Sequence, residues 1–424
     1  MITLIFGAGA SIPFFNPPLT TNYLTEKISS KKEWDKIIKK YSQYKEETSI
    51  PIVSSDIIID VIKRIKGCKN QANFEEITEV LDKISSWGLD KMPYNNMMNL
   101  TWNVLLQIFK PTHPNPIGVE WNAIPFLLRE IIAENILQMQ SQNKSSNYNE
   151  LSSLQKAFLY YLCNSDDDIS IMSLNYDSCL LESITGLDFE KGFVPRDVHY
   201  LQQLDIKRFM DAKRVIYFPH GILNFQFVDN DNVTFWHDVK IANEKRWNGL
   251  SQTSIGSTTT VLPGKFSYNY NTFISTGQTK DDGLNHLPYA VYYQRLACDI
   301  CKSNVIFTIG YSFSDDHINR LLKSYLKLNS NNKIIIVDYY TDEITTTYEY
   351  TDQRNILTKI HNVLGYDWGI MYNSKSGKKE PLNPAEIQCI NSTGFGQMFN
   401  QVYFFKKGYE AFLNQYSEIL EQIF

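Results

Sequence analysis

The chain lacks any apolar run reaching the roughly 18 residues of a membrane-spanning helix, so no such span is expected. Cysteine is sparse, six in 424 residues. The cysteines are scattered, and the first strand-like stretch starts too close to residue 1 for a signal peptide. Reduced thiols and a cytoplasmic location are therefore expected. Only Cys298-Asp299-Ile300-Cys301 has metal-like spacing. No second Cys-x-x-Cys stands with it, and it lies in helix-like text ahead of a strand, so a small buried hydrophobe is the better reading. Positive charge is not in excess. A net charge of −5 argues against a dominant non-specific nucleic-acid surface. No internal repeat is visible.

What remains is ordinary globular composition, 43% hydrophobic and 21% charged, with enough aromatic residues for a sizeable core. The length exceeds one ordinary core and suggests two or three modules. The most informative stretch is the first. Ile2-Thr3-Leu4-Ile5-Phe6 reads as a buried strand and runs into Gly7-Ala8-Gly9-Ala10-Ser11. A strand, a Gly-x-Gly turn and a helix start present backbone N–H groups to a phosphate. The dinucleotide fingerprint is incomplete, because Ile12-Pro13 stands near the place of its third glycine. Glu26, near the distance of its acidic residue, lies in a helix-like stretch. An ordinary nicotinamide dehydrogenase is thus not the first choice, and a ligand-free tight turn is the competing reading.

Residues from about 20 to 150 read as a long helical insertion. Lys31 to Glu47 has a solvated charged face. Residues 74–90 keep apolar helical spacing, and 97–110 and 124–140 read as two further helices. Gln140 to Glu150 reads as a loop. Strand-like runs follow at 169–174, 214–218, 304–309 and 333–337, with helical patterns between several of them, which predicts a parallel α/β sheet. Residues 229–285 read as a partly irregular excursion. The last stretch, 341–424, is expected to extend the sheet edge or form an assembly surface, with Tyr403-Phe404-Phe405 as core.

Five strand ends carry polar or glycine residues: Gly7–Ser11, Asn175–Asp177, His220, Gly310–Asp316 and Asp338. Ligands of open parallel sheets bind outside the carboxyl ends of the strands. Structural alternatives exist for each. Asp177 can cap a following helix, His220 can be a turn histidine, Asp338 can cap a turn, and Asp315 and Asp316 suit a helix start.

Gly7-Ala8-Gly9-Ala10-Ser11, Ser173-Leu174-Asn175-Tyr176-Asp177, Pro219-His220-Gly221 and Gly310-Tyr311-Ser312-Phe313-Ser314-Asp315 together resemble the sirtuin fold family. They resemble in particular its bacterial antiphage-defence branch of NAD hydrolases. Asn73-Phe74-Glu75-Glu76 resembles a helical-insert motif of that branch. The resemblance spans roughly residues 1–340 and implies a Rossmann-like parallel sheet with a helical insertion at about 20–150. It further implies that Gly7, Ala8, Gly9 and Ser11 line the NAD pyrophosphate. Asn175 would hold the nicotinamide ribose and the attacking water, and Asp177 would shape the nicotinamide pocket. His220 would act on the ribose hydroxyls as base or polariser. Gly310 and Ser312 would approach the adenosine half, and Asp338 would accept from its ribose.

Two departures narrow this further. The four-cysteine zinc module of protein-deacylating sirtuins is missing, and Pro13-Phe14-Phe15-Asn16 replaces their Phe-Arg pair. A hydrolase that cleaves NAD to nicotinamide and ADP-ribose without a metal is the leading expectation, as a toxic antiphage effector. The partners implied are a homo-oligomer and a separate sensor or ATPase such as a HerA-type ATPase. The rivals are a module that binds NAD or ADP-ribose to gate a partner, and a protein deacylase or ADP-ribosyltransferase.

Overall fold

The computed structural model describes residues 1–42, 54–68, 72–89, 124–166, 168–195, 202–228, 233–236, 259–262, 265–268, 287–344, 356–364, 384–399 and 401–423. The expected helix at 97–110 lies outside them, as does most of 229–285. The strands in chain order are β1 Ile2–Phe6, β2 Ile169–Ser173, β3 Phe193–Pro195, β4 Gln202–Leu204, β5 Arg214–Tyr217, β6 Phe225–Val228, β7 Val233–Trp236, β8 Thr259–Leu262, β9 Lys265–Tyr268, β10 Val305–Ile309, β11 Lys333–Val337, β12 Phe395–Phe399 and β13 Val402–Phe405.

Seven of them form one sheet in the order β12-β13-β11-β10-β1-β2-β5. Every pairing is parallel except β12 with β13. All residues of β1, β2 and β10 are buried, as expected of parallel strands covered on both faces. Among their buried polar groups, the Thr3 hydroxyl lies 2.7 Å from that of Ser303, whereas the Thr308 hydroxyl is buried without a hydrogen-bond partner.

Numbered among themselves, the six parallel strands run 3-2-1-4-5-6, the doubly wound order. The chain builds outward from β1 through β2 to β5. It then returns to the other side of β1 with β10, β11 and β13. The switch point therefore lies between β1 and β10, whose exits are Gly7 and Gly310.

Between β1 and β2 the described residues include the helices Thr21–Ile28, Lys31–Ser42, Ser55–Cys68, Phe74–Leu89, Ile124–Gln142 and Tyr148–Ser165. Ile124–Gln142 is the central one. It buries Leu127, Leu128, Ile131, Ile132, Ile136 and Met139 and packs against three of the others. The expected loop at 140–150 shrinks to 143–147, since the helices run to Gln142 and resume at Tyr148.

The sheet continues past residue 340 into the last stretch. β13 pairs in parallel with β11, and Phe404 and Phe405 are fully buried. The helix Tyr409–Glu421 drives Phe412 against Phe158 at 5.2 Å and Phe307 at 6.4 Å between ring centroids. A sequence pattern reveals a strand but not its neighbour, and this neighbour lies about 65 residues away in the chain.

One buried cation sets where β5 starts. Arg295 donates to the carbonyls of Phe209, Met210 and Ala212, closing the helix Ile206–Asp211 that precedes β5. Its charge is balanced by Asp299, which also accepts from Ser170 on β2. Breaking such a buried pair on one side leaves an uncompensated charge.

Candidate active site at the carboxyl edge of the sheet

At the exit of β1 the chain turns into a short 3₁₀ helix, Ala8–Phe14. The glycines here are required by backbone packing. A Cβ on Gly7 would sit 2.4 Å from the Gly310 oxygen, and one on Gly9 would sit 2.7 Å from the Gly310 Cα. Gly310 itself has φ +58°, and its Cβ would meet the Ala10 nitrogen at 2.2 Å. The exits of β1 and β10 therefore cross in contact, which only residues without a Cβ permit. Gly7 N–H donates to the Ile309 oxygen at 2.9 Å and Gly9 N–H to the Gly310 oxygen at 3.0 Å. Two N–H groups that the sequence reading aims at a pyrophosphate are thus engaged within the protein. Ala8 is exposed at the tip of the turn.

Ser11, only 3% exposed, is the hub of the next layer. Its hydroxyl donates to Asp177 Oδ2 at 2.5 Å and accepts from Asn175 Nδ2 at 2.9 Å. The other Asp177 oxygen accepts from the Cys179 N–H at 3.1 Å, at the start of the helix Cys179–Ser183. The sequence reading puts Asp177 on the nicotinamide wall. The structure instead seals it below the rim, 3% exposed with both oxygens engaged. Burial pushes its carboxyl pKa up, opposed by the Ser11 hydroxyl and the Cys179 N–H. Asn175 is half-buried above it.

His220 leaves the far side of the sheet. Pro219-His220-Gly221 forms a turn closed by Gly221 N–H to the Phe218 oxygen at 2.9 Å, and Gly221 has φ +91°. Proline second and glycine last suit such a turn. Phe218 and Phe225, on either side, both pack on Trp236 at 5.9 Å. The turn is thereby anchored at both ends in an aromatic cluster.

The imidazole Nε2 lies 3.1 Å from Asp315 Oδ2, with both side chains buried. Asp315 Oδ1 meanwhile caps the helix Asp316–Leu328, accepting from His317 N–H and Ile318 N–H. The sequence leaves Asp315 open between capping and ligand contact; it caps the helix and holds His220 as well. A carboxylate at an N-cap accepts, and the helix dipole favours its charge. This assigns a hydrogen to Nε2, so that in the neutral imidazole Nδ1 is the acceptor. Asp315 is held by its own loop: Tyr311 hydroxyl donates to the Asp315 oxygen at 3.1 Å and to Asn319 Oδ1 at 2.8 Å. Asn319 in turn donates to the oxygen of Phe313, a residue with φ +53°. A left-handed phenylalanine in a turn of this kind is a strained feature.

β5 and β10 are three strand spacings apart, about 14 Å. The His220–Asp315 bond therefore spans above β1 and β2, over the exits that carry Ser11, Asn175 and Asp177.

Farther along the rim, Ser312 and Ser314 are exposed with hydroxyls 3.0 Å apart. Lys359 Nζ, from the helix Ile356–Leu364, lies 3.4 Å from the Ser314 hydroxyl. Asp338 ends β11 half-buried. Desolvation pushes its carboxyl up to about 6, against the Tyr339 N–H and the positive charge of Lys359. Its Oδ1 accepts from that N–H at 2.7 Å.

Gly7, Gly9 and Gly310 thus pack together, Ser11, Asn175 and Asp177 form one hydrogen-bonded set, and His220 and Asp315 form another, all at the carboxyl ends of the sheet, with Ser312 and Asp338 toward β11. Tyr311 and Asp315 stand in a motif the sequence reading quotes, but the bond from Asp315 to His220 and the part of Asn319 escaped it, because capping and ligand contact were the two uses it weighed for Asp315. Among the described residues, no three His, Cys, Asp or Glu side chains are grouped as metal ligands. No helix among them is long and apolar enough to cross a membrane. Comparison with protein-family models and with curated proteins finds no match.

Proposed function

We propose that this chain is a sirtuin-like NAD glycohydrolase, cleaving NAD to nicotinamide and ADP-ribose. One observation carries the reading. The four motifs that resemble the sirtuin family leave four different strands at the carboxyl edge of one sheet, with Ser11 and Asn175 in one hydrogen-bonded set and His220 and Asp315 in another.

The chemistry suits these groups. Nicotinamide leaves with the electron pair of its glycosidic bond and becomes neutral, so the reaction needs positioning and electrostatic support more than a strong nucleophile. Asn175, fixed through its amide nitrogen by Ser11, presents its amide oxygen to the ribose and to the incoming water. His220 accepts a proton from a ribose hydroxyl or from the water at Nδ1, and Asp315 stabilises the imidazolium that results. Water adds its oxygen to the anomeric carbon and keeps one hydrogen as the new hydroxyl of ADP-ribose; its other proton passes through His220 to solvent, one proton released per turnover. The phosphates would lie along the exposed Ala8 tip and the Ser312 and Ser314 hydroxyls. The Gly7 and Gly9 N–H groups hold the backbone beneath them.

A cytoplasmic antiphage effector follows from the same resemblance. So do a homo-oligomer and a separate ATPase or sensor partner of the HerA type. Nicotinamide release by the purified chain tests the core of the proposal. Asn175→Ala and His220→Ala are each expected to lower it by about 100-fold or more with the melting temperature retained. Equal rates in wild type and both variants would overturn it.

A further inference from the structure

We propose that Tyr176 is a positioning residue through which the helical insertion fixes the geometry of Asn175 and Asp177. The claim rests on the hydrolase reading above for its kinetic arm only.

Asn175 and Asp177 both turn to Ser11, and Tyr176, between them, goes the other way. Its ring meets Phe74 edge-on at 6.1 Å and 73°, and its hydroxyl donates to Glu75 Oε1 at 3.3 Å. The side chain is 8% exposed. Both contacts come from the first turn of the helix Phe74–Leu89.

That first turn is itself fixed. Glu76 N–H donates to Asn73 Oδ1 and Asn73 N–H to Glu76 Oε2, each at 3.0 Å, a reciprocal capping box. Phe74 N–H donates to the Thr25 hydroxyl at 2.9 Å, and that hydroxyl donates to the Thr21 oxygen at 2.7 Å. The four residues Asn73-Phe74-Glu75-Glu76 therefore divide their work. The outer two build the helix start, and the inner two are delivered to Tyr176.

A buried tyrosine hydroxyl is costly without a partner. Burial and the negative charge of Glu75 hold the phenol above its ordinary pKa, so it stays a donor. The backbone on either side is otherwise held by few bonds: Leu174 N–H to Phe6 oxygen, Asn175 N–H to the Ser173 hydroxyl and Cys179 N–H to Asp177. A shift of Tyr176 moves the two residues flanking it, and Asn175 must sit accurately for the reaction.

Tyr176→Phe keeps the ring and removes one oxygen. Glu75→Ala removes the acceptor, and Glu75→Gln keeps one. For NAD turnover, Tyr176→Phe and Glu75→Ala are each expected to lower kcat about tenfold with KM within about twofold, and the double variant to be no worse. Glu75→Gln is expected to restore most of kcat. Hydrogen exchange of peptides covering 174–179 is expected to quicken in the two damaging variants, with β1 and β10 unchanged. Wild-type exchange and kcat in Tyr176→Phe would overturn the proposal, as would exchange that quickens evenly across all strands. A wild-type chain inert toward NAD would remove the hydrolase reading, and the exchange of 174–179 would then decide the positioning claim alone.

Discussion

His220 and Asp315 are hydrogen-bonded at 3.1 Å although 95 residues separate them in the chain. Their bond joins the loops that leave β5 and β10, with the exits of β1 and β2 beneath. Asp315 reaches it from an N-cap position, so one carboxylate starts a helix and orients an imidazole.

Substitution Asp315→Asn separates those two duties. Asparagine caps a helix about as well as aspartate, so the melting temperature is expected to change little. The amide cannot stabilise an imidazolium, and kcat for nicotinamide release is expected to fall about 100-fold. Steady-state kinetics beside a thermal melt check this. Unchanged kcat would remove His220 from the mechanism or Asp315 from its support.

Ser11→Ala takes the hydroxyl from both Asp177 and Asn175. A buried polar group left without its partner costs about 1–3 kcal/mol, and urea unfolding is expected to report a loss of that size. Turnover should fall too, since the Asn175 amide loses its fixed acceptor. Stability within about 0.5 kcal/mol of wild type would mean that Ser11 is not the hub.

The Gly310 position admits no side chain. Gly310→Ala places a Cβ against the Ala10 nitrogen and the Gly9 carbon, at a φ of +58°. The expected loss is about 3 kcal/mol or more, read as poor soluble yield or a sharply lower melting temperature. A soluble Gly310→Ala chain with wild-type stability would contradict the crossing of the β1 and β10 exits.

The Asp338 carboxyl is held up at about 6 by desolvation, above the ordinary aspartate value. The folded chain then binds more protons than the unfolded chain between pH about 4 and that midpoint. The contribution to stability is fully present below the unfolded pKa and is lost as pH rises through the folded one. Asp338→Asn should remove this part of the slope of unfolding free energy against pH. If Asp338 accepts from a ribose hydroxyl, NAD affinity should rise through the same midpoint. Carbon NMR of the carboxyl reads the titration directly, and an ordinary midpoint of about 3.9 would contradict it.

Much of the sheet was legible in the sequence because its strands are short apolar runs that end in polar or glycine residues. β1, β2, β5, β10 and β11 fall within a residue or two of their expected limits. The partner of each strand was not legible, the pairing of β13 with β11 included, because parallel pairing joins segments far apart in the chain. Site residues were legible where a motif concentrated them, as at Asn175 and His220. Asp315 was legible as a cap or a ligand contact, but its bond to His220, 95 residues away, was not. Gly7, Gly9 and Gly310 were read as room for a ligand, whereas their first requirement is each other. Asp177 was placed on the pocket wall only because the family resemblance implies it. Its burial beneath Ser11 depends on a contact 166 residues away.

The most direct test of the central claim is a product balance for NAD. Purified protein, alone and with the product of its neighbouring gene, is incubated with NAD, and nicotinamide and ADP-ribose are quantified. The account predicts equal amounts of both, matching the NAD lost, and none from Asn175→Ala. NAD left intact under both conditions, with NAD or ADP-ribose still bound, would contradict it and favour a ligand-sensing module.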